Sequence, residues 1–308
     1  MQGNWEGPFQ TVDGANAGVL TAQVIADSNQ TYTAVVGIVL NGQPGPRVTM
    51  AGKWQGGKAV FGSSVNVGYE LGGTYNVRGE IAGETFTGTF SGYEAEGTFS
   101  PKKKYITSPS LGAAAPAGAM VLYDGKSASA WQQGDGKPIT WKILPDGALE
   151  VAKGSILTKQ TFGDHKLHIE FRTPLMPGAR GQGRGNSGVY LLGRYEVQVL
   201  DSFGLEGRDN ECGGIYKVAA PRVNACLPPT EWQTYDIEFR AAQQDNKGKK
   251  IKNAAITVVH NGIIIHDHLE LPGVTGCAIK NDEPGRGPLM LQDHHNPVQF
   301  RNIWVQPL

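Results

Sequence analysis

The sequence predicts an all-β protein made of two consecutive units. Glycine supplies 43 of the 308 residues and charged residues only 18%, and low charge with abundant Gly, Thr and Val suits short strands joined by tight turns. Apolar and polar residues alternate with period 2 along much of the chain, and no helix-period stretch longer than about two turns interrupts them. The length exceeds what one compact domain usually needs.

The first unit, residues 1–105, reads as a small barrel or sandwich. The segments "LTAQVIAD", "YTAVVGIVL", "RVTMAGKW", "KAVFGSSV", "YNVRGEIAG", "ETFTGTFSG" and "AEGTFSPKK" follow one another between Gly, Asn and Asp turns, the rhythm of an all-β domain. Glycines inside "TGTFSG" and "AEGTFS" mark bent strands at corners. Trp5 and Trp54 are able to stack on sugar rings, but core positions are the expectation for so large a side chain. Nothing in this unit forms a catalytic cluster. The run Lys102–Lys104 is a solvated strand end. Residues 106–118, "ITSPSLGAAAPAG", hold small residues and prolines and read as a linker.

The second unit, residues 119–308, carries strands at "ALEVA", "KLHIEFRT", "SGVYLLG", "YEVQVLD", "GGIYKV", "TYDIEFR", "AAITVVHNGIIIHDH", "PLMLQDH" and "VQFRNIWVQ". "HNG", His260–Gly262, is a strong hairpin turn. So many antiparallel strands in one unit suggest a two-sheet sandwich.

Each strand of a sandwich buries one face and leaves the other free to line a groove. His168, Glu170 and Arg172 oppose Leu167, Ile169 and Phe171. Glu196 and Gln198 share one face of "YEVQVLD", roughly 7 Å apart. Gln292 and His294 oppose Leu289 and Leu291, and Gln299 and Arg301 oppose Phe300 and Trp304. Such residues grip hydroxyls and transfer protons. Asp201 lies five residues beyond Glu196 and needs a β-bulge to swing back to its face. That spacing is similar to laminarinase- and lichenase-type retaining glycosidases, except that Gln198 stands where those enzymes carry an acid.

Lys plus Arg and Asp plus Glu each number 28, which argues against a chain-wide electrostatic grip on nucleic acid or anionic membrane. No apolar run reaches the roughly 20 residues of a membrane span. The start, "MQGNWEGPF", has no signal-peptide pattern, and we expect the natural N-terminus to have been removed. Cys212 and Cys226 bracket a short loop whose spacing allows a disulfide, leaving Cys277 free.

The pieces "VLYDGKSASAW", "GNSGVYL", "YEVQVLD", "GGIYKVAAP", "EWQTYDI" and "LMLQDHHNPVQFRNIWV" occur in order between residues 121 and 305. Together they resemble the 3-keto-disaccharide hydrolase family, over about residues 119–308; the first unit lies outside the match. The resemblance implies a concanavalin A-like two-sheet β-sandwich (jelly roll), a periplasmic or extracellular home, and a 3-keto-glycoside substrate. The implied chemistry is removal of the C2 proton, elimination of the C1 aglycone and hydration, which requires a base, an acid and an electrophile for the C3 oxyanion.

On that reading Glu196 is the base and Asp201 or His294 the acid. Glu170, Arg172, Asn186, Gln198, Tyr216, Gln292 and Arg301 bind sugar. A divalent metal ion is a candidate electrophile, with Glu170, Glu196 and His294 as candidate ligands; no nucleotide or organic cofactor is expected. His266 and His268 look metal-like but are expected to be structural. The loop 172–188 with Arg180 and Arg184, and the loop 279–288 with Asp282 and Glu283, read as two lips. The alternatives are a retaining hydrolase of unoxidised glucans, using Glu196 and Asp201, and a non-catalytic carbohydrate-binding protein.

Overall fold

The computed structural model describes residues 1–40, 42–69, 72–283 and 285–308. The chain divides into two compact units, Met1–Ile106 and Thr107–Leu308.

The first unit carries β1 (Gly3–Thr11), β2 (Ala17–Ala26), β3 (Thr31–Leu40), β4 (Gln43–Gln55), β5 (Lys58–Asn66), β6 (Thr74–Ala82), β7 (Thr85–Gly92), β8 (Glu96–Phe99) and β9 (Lys102–Lys104). Consecutive strands pair antiparallel from β1 to β8, and β1 pairs with β2 on one side and β8 on the other. The sheet therefore closes into an up-and-down barrel, of the two architectures the strand pattern allowed. β9 adds a short rung against β1. The strand β1 was not visible as alternation because Gly3, Gly7 and Pro8 interrupt it. Closure needs glycines where aromatic rings cross the wall. A Cβ on Gly52 would meet the Phe61 ring at 2.5 Å, one on Gly88 the Phe99 ring at 2.2 Å, and one on Gly97 the Phe90 ring at 2.4 Å. Each ring sits on the strand paired to its glycine. Trp5 is buried edge-on against Phe86, at 6.2 Å between ring centroids, and Trp54 packs partly against the same core.

The second unit begins with β10 (Met120–Tyr123), β11 (Trp131–Gln133), β12 (Lys142–Ile143), β13 (Leu149–Glu150), β14 (Ile156–Phe162), β15 (His165–Arg172), β16 (Ser187–Leu191) and β17 (Tyr195–Val199). It continues with β18 (Gln233–Arg240), β19 (Gln243–Gln244), β20 (Lys250–Lys252), β21 (Ala254–His260), β22 (Ile263–Leu271), β23 (Gly287–Leu291) and β24 (Gln299–Pro307). One sheet runs β12-β13-β24-β15-β18-β21-β22, with β10 on β24; the facing sheet runs β11-β14-β23-β16-β17. Leu167, Ile169, Phe171 and Phe300 of the first sheet share one buried core with Val189, Leu191, Val197, Leu289 and Leu291 of the second. This is the expected two-sheet sandwich. The hairpin at "HNG" forms as its residues dictate: Asn261 and Gly262 take φ of 51° and 82°, the left-handed pair a tight hairpin requires. "GGIYKV" departs from expectation. Ile215 makes only isolated bridges to Val197 and Ala219, so the segment is a loop laid over β17.

The Ala/Pro-rich segment is the larger correction. Residues 107–118 belong to the second unit and strap the outer face of the β15 sheet. Ser108 Oγ lies 2.6 Å from Thr234 Oγ1, and Ser110 Oγ donates to Asp236 Oδ2 at 2.5 Å. The Gly112 N–H donates to Glu170 Oε1 at 2.6 Å, and Asn302 Nδ2 and Trp304 Nε1 both donate to the Ala113 carbonyl. Pro109 lies over the hairpin tip, where a Cβ on Gly262 would meet it at 2.5 Å. Small residues here serve close packing rather than flexibility.

Candidate active site

Strands β16 and β17 are buried on both faces. Their inner face is core. Their outer face is polar and is covered by the loops that follow β17 and β22. The register Gly188↔Gln198 and Tyr190↔Glu196 puts Glu196 and Gln198 beside Tyr190 and Gly188, with Asn186 two residues before Gly188 on the same alternation. Gln292 follows β23 and is tied in by its N–H, which donates to the Gly188 carbonyl at 3.0 Å. Gly188 leaves the carboxylate its room: a Cβ would meet Glu196 Oε1 at 2.4 Å, so the bare Cα makes the seat for the carboxylate.

Tyr190 donates its hydroxyl proton to Glu196 Oε2 at 2.7 Å and accepts from Gln292 Nε2 at 3.1 Å. Burial pushes the Glu196 carboxyl up to about 7, against the opposing effect of the Tyr190 hydrogen bond. Burial and the neighbouring carboxylate also push the Tyr190 phenol up, keeping it a donor. Gln182 was not singled out in the sequence, yet it organises the amides: its Oε1 accepts from Gln198 Nε2 at 3.1 Å and Asn186 Nδ2 at 3.2 Å. With their N–H groups so occupied, Asn186 Oδ1, Gln198 Oε1 and Gln292 Oε1 are buried and have no hydrogen-bond partner among the described residues. A buried acceptor left open is costly, so three in one cluster mark a place for donors from outside the chain. Tyr216 borders the cluster. Its N–H donates to the Glu196 carbonyl at 3.3 Å, and its ring lies 3.4 Å from where a Gly276 Cβ would stand.

Asp201 does not join this face through a bulge. The β16–β17 register is regular and β17 ends at Val199. Asp201 lies beyond it, 4% exposed, with Oδ2 accepting from Arg184 Nε at 2.7 Å and Oδ1 from the Phe203 N–H at 3.4 Å. Burial raises its carboxyl and Arg184 opposes the rise. The pair pins the loop 172–188, which makes that loop an anchored wall rather than a mobile lip. His294 is exposed in the turn between Gln292 and Asn296; Asn296 Oδ1 accepts from the Asn186 N–H at 2.8 Å, so the turn borders the cluster.

Glu170, Arg172 and Arg301 are elsewhere. Because Ile169 and Phe171 point into the core, these three point out of the opposite sheet, on the other side of the sandwich from Glu196. Glu170 is wholly buried under the strap. Burial alone would raise its carboxyl, but His168, Asn302, Arg301 and the Gly112 N–H overturn that and hold it down to about 2. Arg172 and Arg301 both lie over the Trp232 ring, at 4.5 and 4.0 Å from its centroid. Arg172 also donates to Asp146 Oδ2 at 2.7 Å. This face is a structural network. The proposed ligand set Glu170, Glu196 and His294 is therefore split between two faces. Among the described residues no three His, Cys, Asp or Glu side chains stand together as metal ligands. The residues at Glu196 do not fit a divalent metal of the kind expected.

His266 is buried with Nε2 2.7 Å from the Gly213 carbonyl, and His268 is exposed beside Asp267. Glu283 accepts from Tyr195 at 2.9 Å and Lys250 at 2.7 Å, so the second lip is also tied down. Cys212 and Cys226 are neighbouring buried free thiols, not a disulfide. Cys212 Sγ lies 3.2 Å from Tyr235 Oη, and contact with Cys212 together with burial pushes the Cys226 thiol up. No helix of the described residues is long and apolar enough to cross a membrane.

A crystal structure from Parabacteroides distasonis, named only provisionally as a glycosyl hydrolase, is 38% identical with a TM-score of 0.59, over 63% of this chain and 85% of that one. A second structure from the same organism, with the same provisional name, is 18% identical with a TM-score of 0.49, over 62% of this chain and 94% of its own. No curated protein matches the sequence. Residues 118–306 match a family profile over more than half of the chain, spanning every strand of the sandwich and every residue around Glu196, and the chain belongs to the family of 3-keto-alpha-glucoside-1,2-lyase-like domains.

Proposed function

We propose that the second unit is a carbohydrate-active enzyme that cleaves 3-keto-glycosides by elimination and rehydration. The observation that carries this reading is a buried carboxyl held near neutrality, Glu196, among three buried amide oxygens that lack donors. A polyol supplies donors to such acceptors. A base poised near 7 suits removal of a carbon-bound proton already acidified by a neighbouring ketone.

Glu196 takes the C2 proton, and the C2–H electrons form the enolate of the C3 ketone. The enolate collapses, the C1–oxygen bond breaks, and the departing oxygen takes a proton. Water then adds across the new C1–C2 double bond, so the sum is hydrolysis. Tyr190 holds Glu196 in place and the amides of Asn186, Gln198 and Gln292 bind ring hydroxyls, with Tyr216 flanking the sugar. His294 is the candidate acid, because Asp201 has both oxygens committed to Arg184 and Phe203. The same commitment disfavours a retaining mechanism through Glu196 and Asp201. The test is aglycone release from matched glycosides with and without the C3 ketone. Release from the keto form alone is expected; equal release from both would overturn the reading, and saturable binding without turnover would leave a binding protein.

A further inference from the structure

The barrel of the first unit carries a cavity of its own. The barrel is filled at one end only. Trp5, Ala22, Val24, Ala34, Ala59, Phe61 and Ile81 pack that end solid. The other end holds a cavity of about 500 Å³, within the usual range for small-molecule sites. Eight strands are the number at which a barrel either fills with side chains or holds one small ligand. Ile38, Val48, Val67, Val77 and Phe90 line the space and face inward by alternation, yet each is only half-buried. They are apolar side chains pointed at a core that the described residues do not complete.

The mouth is set by topology. Thr11 and Asn16 flank the β1–β2 turn, Tyr69 and Gly72 lie between β5 and β6, and Glu94 and Ala95 lie between β7 and β8; all of them border the cavity. These turns share one end of an up-and-down barrel. Among the described lining residues the mouth thus offers the Thr11 hydroxyl, the Asn16 amide, the phenols of Tyr69 and Tyr75 and the Glu94 carboxylate. No lysine or arginine stands among the described lining residues. A carboxylate or phosphate head would meet Glu94 with no cation to offset it, whereas a hydroxyl head finds donors and acceptors.

We propose that the barrel binds a free, uncharged, single-chain amphiphile, with its aliphatic chain in the cavity and a hydroxylated head at the turns carrying Asn16 and Glu94. The closed Trp5 end allows entry from the mouth alone, so one molecule binds per chain.

The test uses the full chain. Titration with the uncharged fluorophore N-phenyl-1-naphthylamine should saturate at one probe per chain. Monodecanoylglycerol should displace it at least tenfold better than decanoate. Val77→Trp and Val48→Trp, which fill the cavity from two strands, should each weaken probe binding at least tenfold with unchanged circular dichroism. Glu94→Lys, at an exposed position, should keep probe binding and improve displacement by decanoate several-fold. The proposal is overturned by the absence of saturable probe uptake, by folded tryptophan variants that bind as the wild type does, by decanoate outcompeting the monoglyceride, or by no change in Glu94→Lys.

Discussion

Glu196 makes two predictions with opposite signs. Glu196→Gln keeps the acceptor for Tyr190 and removes the proposed base, so turnover should fall by about 10²–10⁴-fold. The same group should lower stability as pH rises. Its folded value, about 7, lies above its unfolded value of about 4.5, so the native state binds more protons between them and loses stability as pH climbs through that window. The loss is up to about 3 kcal/mol. Glu196→Gln should therefore match or exceed the wild-type melting temperature at pH 8; a clearly less stable variant at that pH would contradict the assigned burial penalty. The thiols give a separate residue-scale test. Cys277 is exposed while Cys212 and Cys226 are buried and free. A thiol reagent should find one group in the native protein and three in denaturant. One group under both conditions would mean that the two buried sulfurs are bonded.

At the scale of elements, the strap is the feature most open to test. Glu170 accepts from Gly112 of the strap, Asn302 and Arg301, and lies beside His168. Glu170→Ala leaves a buried imidazole and a guanidinium short of their partner and should cost about 3–5 kcal/mol, read as the midpoint of denaturant unfolding. Turnover by the protein that remains folded should be unaffected, since this network lies on the far face from Glu196. A variant with full stability and lost turnover would put Glu170 back in the site. Alternation tells which residues of one strand share a face, but not which sheet the strand joins. His168, Glu170 and Arg172 looked like groove residues because β15 was read without its neighbours. The linker reading failed for a related reason: composition reports that Ser108, Ser110 and Gly112 are small and polar, not that Thr234, Asp236 and Glu170 wait for them. What was legible was local. Alternation and the resemblance of their segments to one family singled out Glu196, Gln198, Asn186 and Gln292, which the structure brings into one cluster. Tyr190 could have been found the same way, since it stands two residues beyond Gly188 on the face Asn186 begins. Gln182 sits in a glycine-rich loop with no periodicity, and no local signal marks it.

For the whole molecule, the division after Ile106 and the position of every site residue beyond it make a truncation informative. Residues 107–308 should fold and turn over a small soluble 3-keto-glycoside at near the rate of the full chain. Residues 119–308 lack the strap and should be less stable than the longer fragment by about 2–5 kcal/mol, the sum of a few hydrogen bonds and a re-exposed charge network. Equal stability of the two fragments would reduce the strap to a surface ornament. A folded 107–308 fragment without turnover would mean that the barrel supplies part of the site.

In the proposed mechanism Glu196 removes a proton from C2 before the glycosidic bond breaks, and the position of solvent label measures that step directly. Turnover of a 3-keto-glycoside in D₂O should place one deuterium at C2 of the released sugar faster than the free product exchanges alone, and Glu196→Gln should abolish that incorporation together with cleavage. Cleavage by the wild-type enzyme that leaves C2 unlabelled would contradict the mechanism.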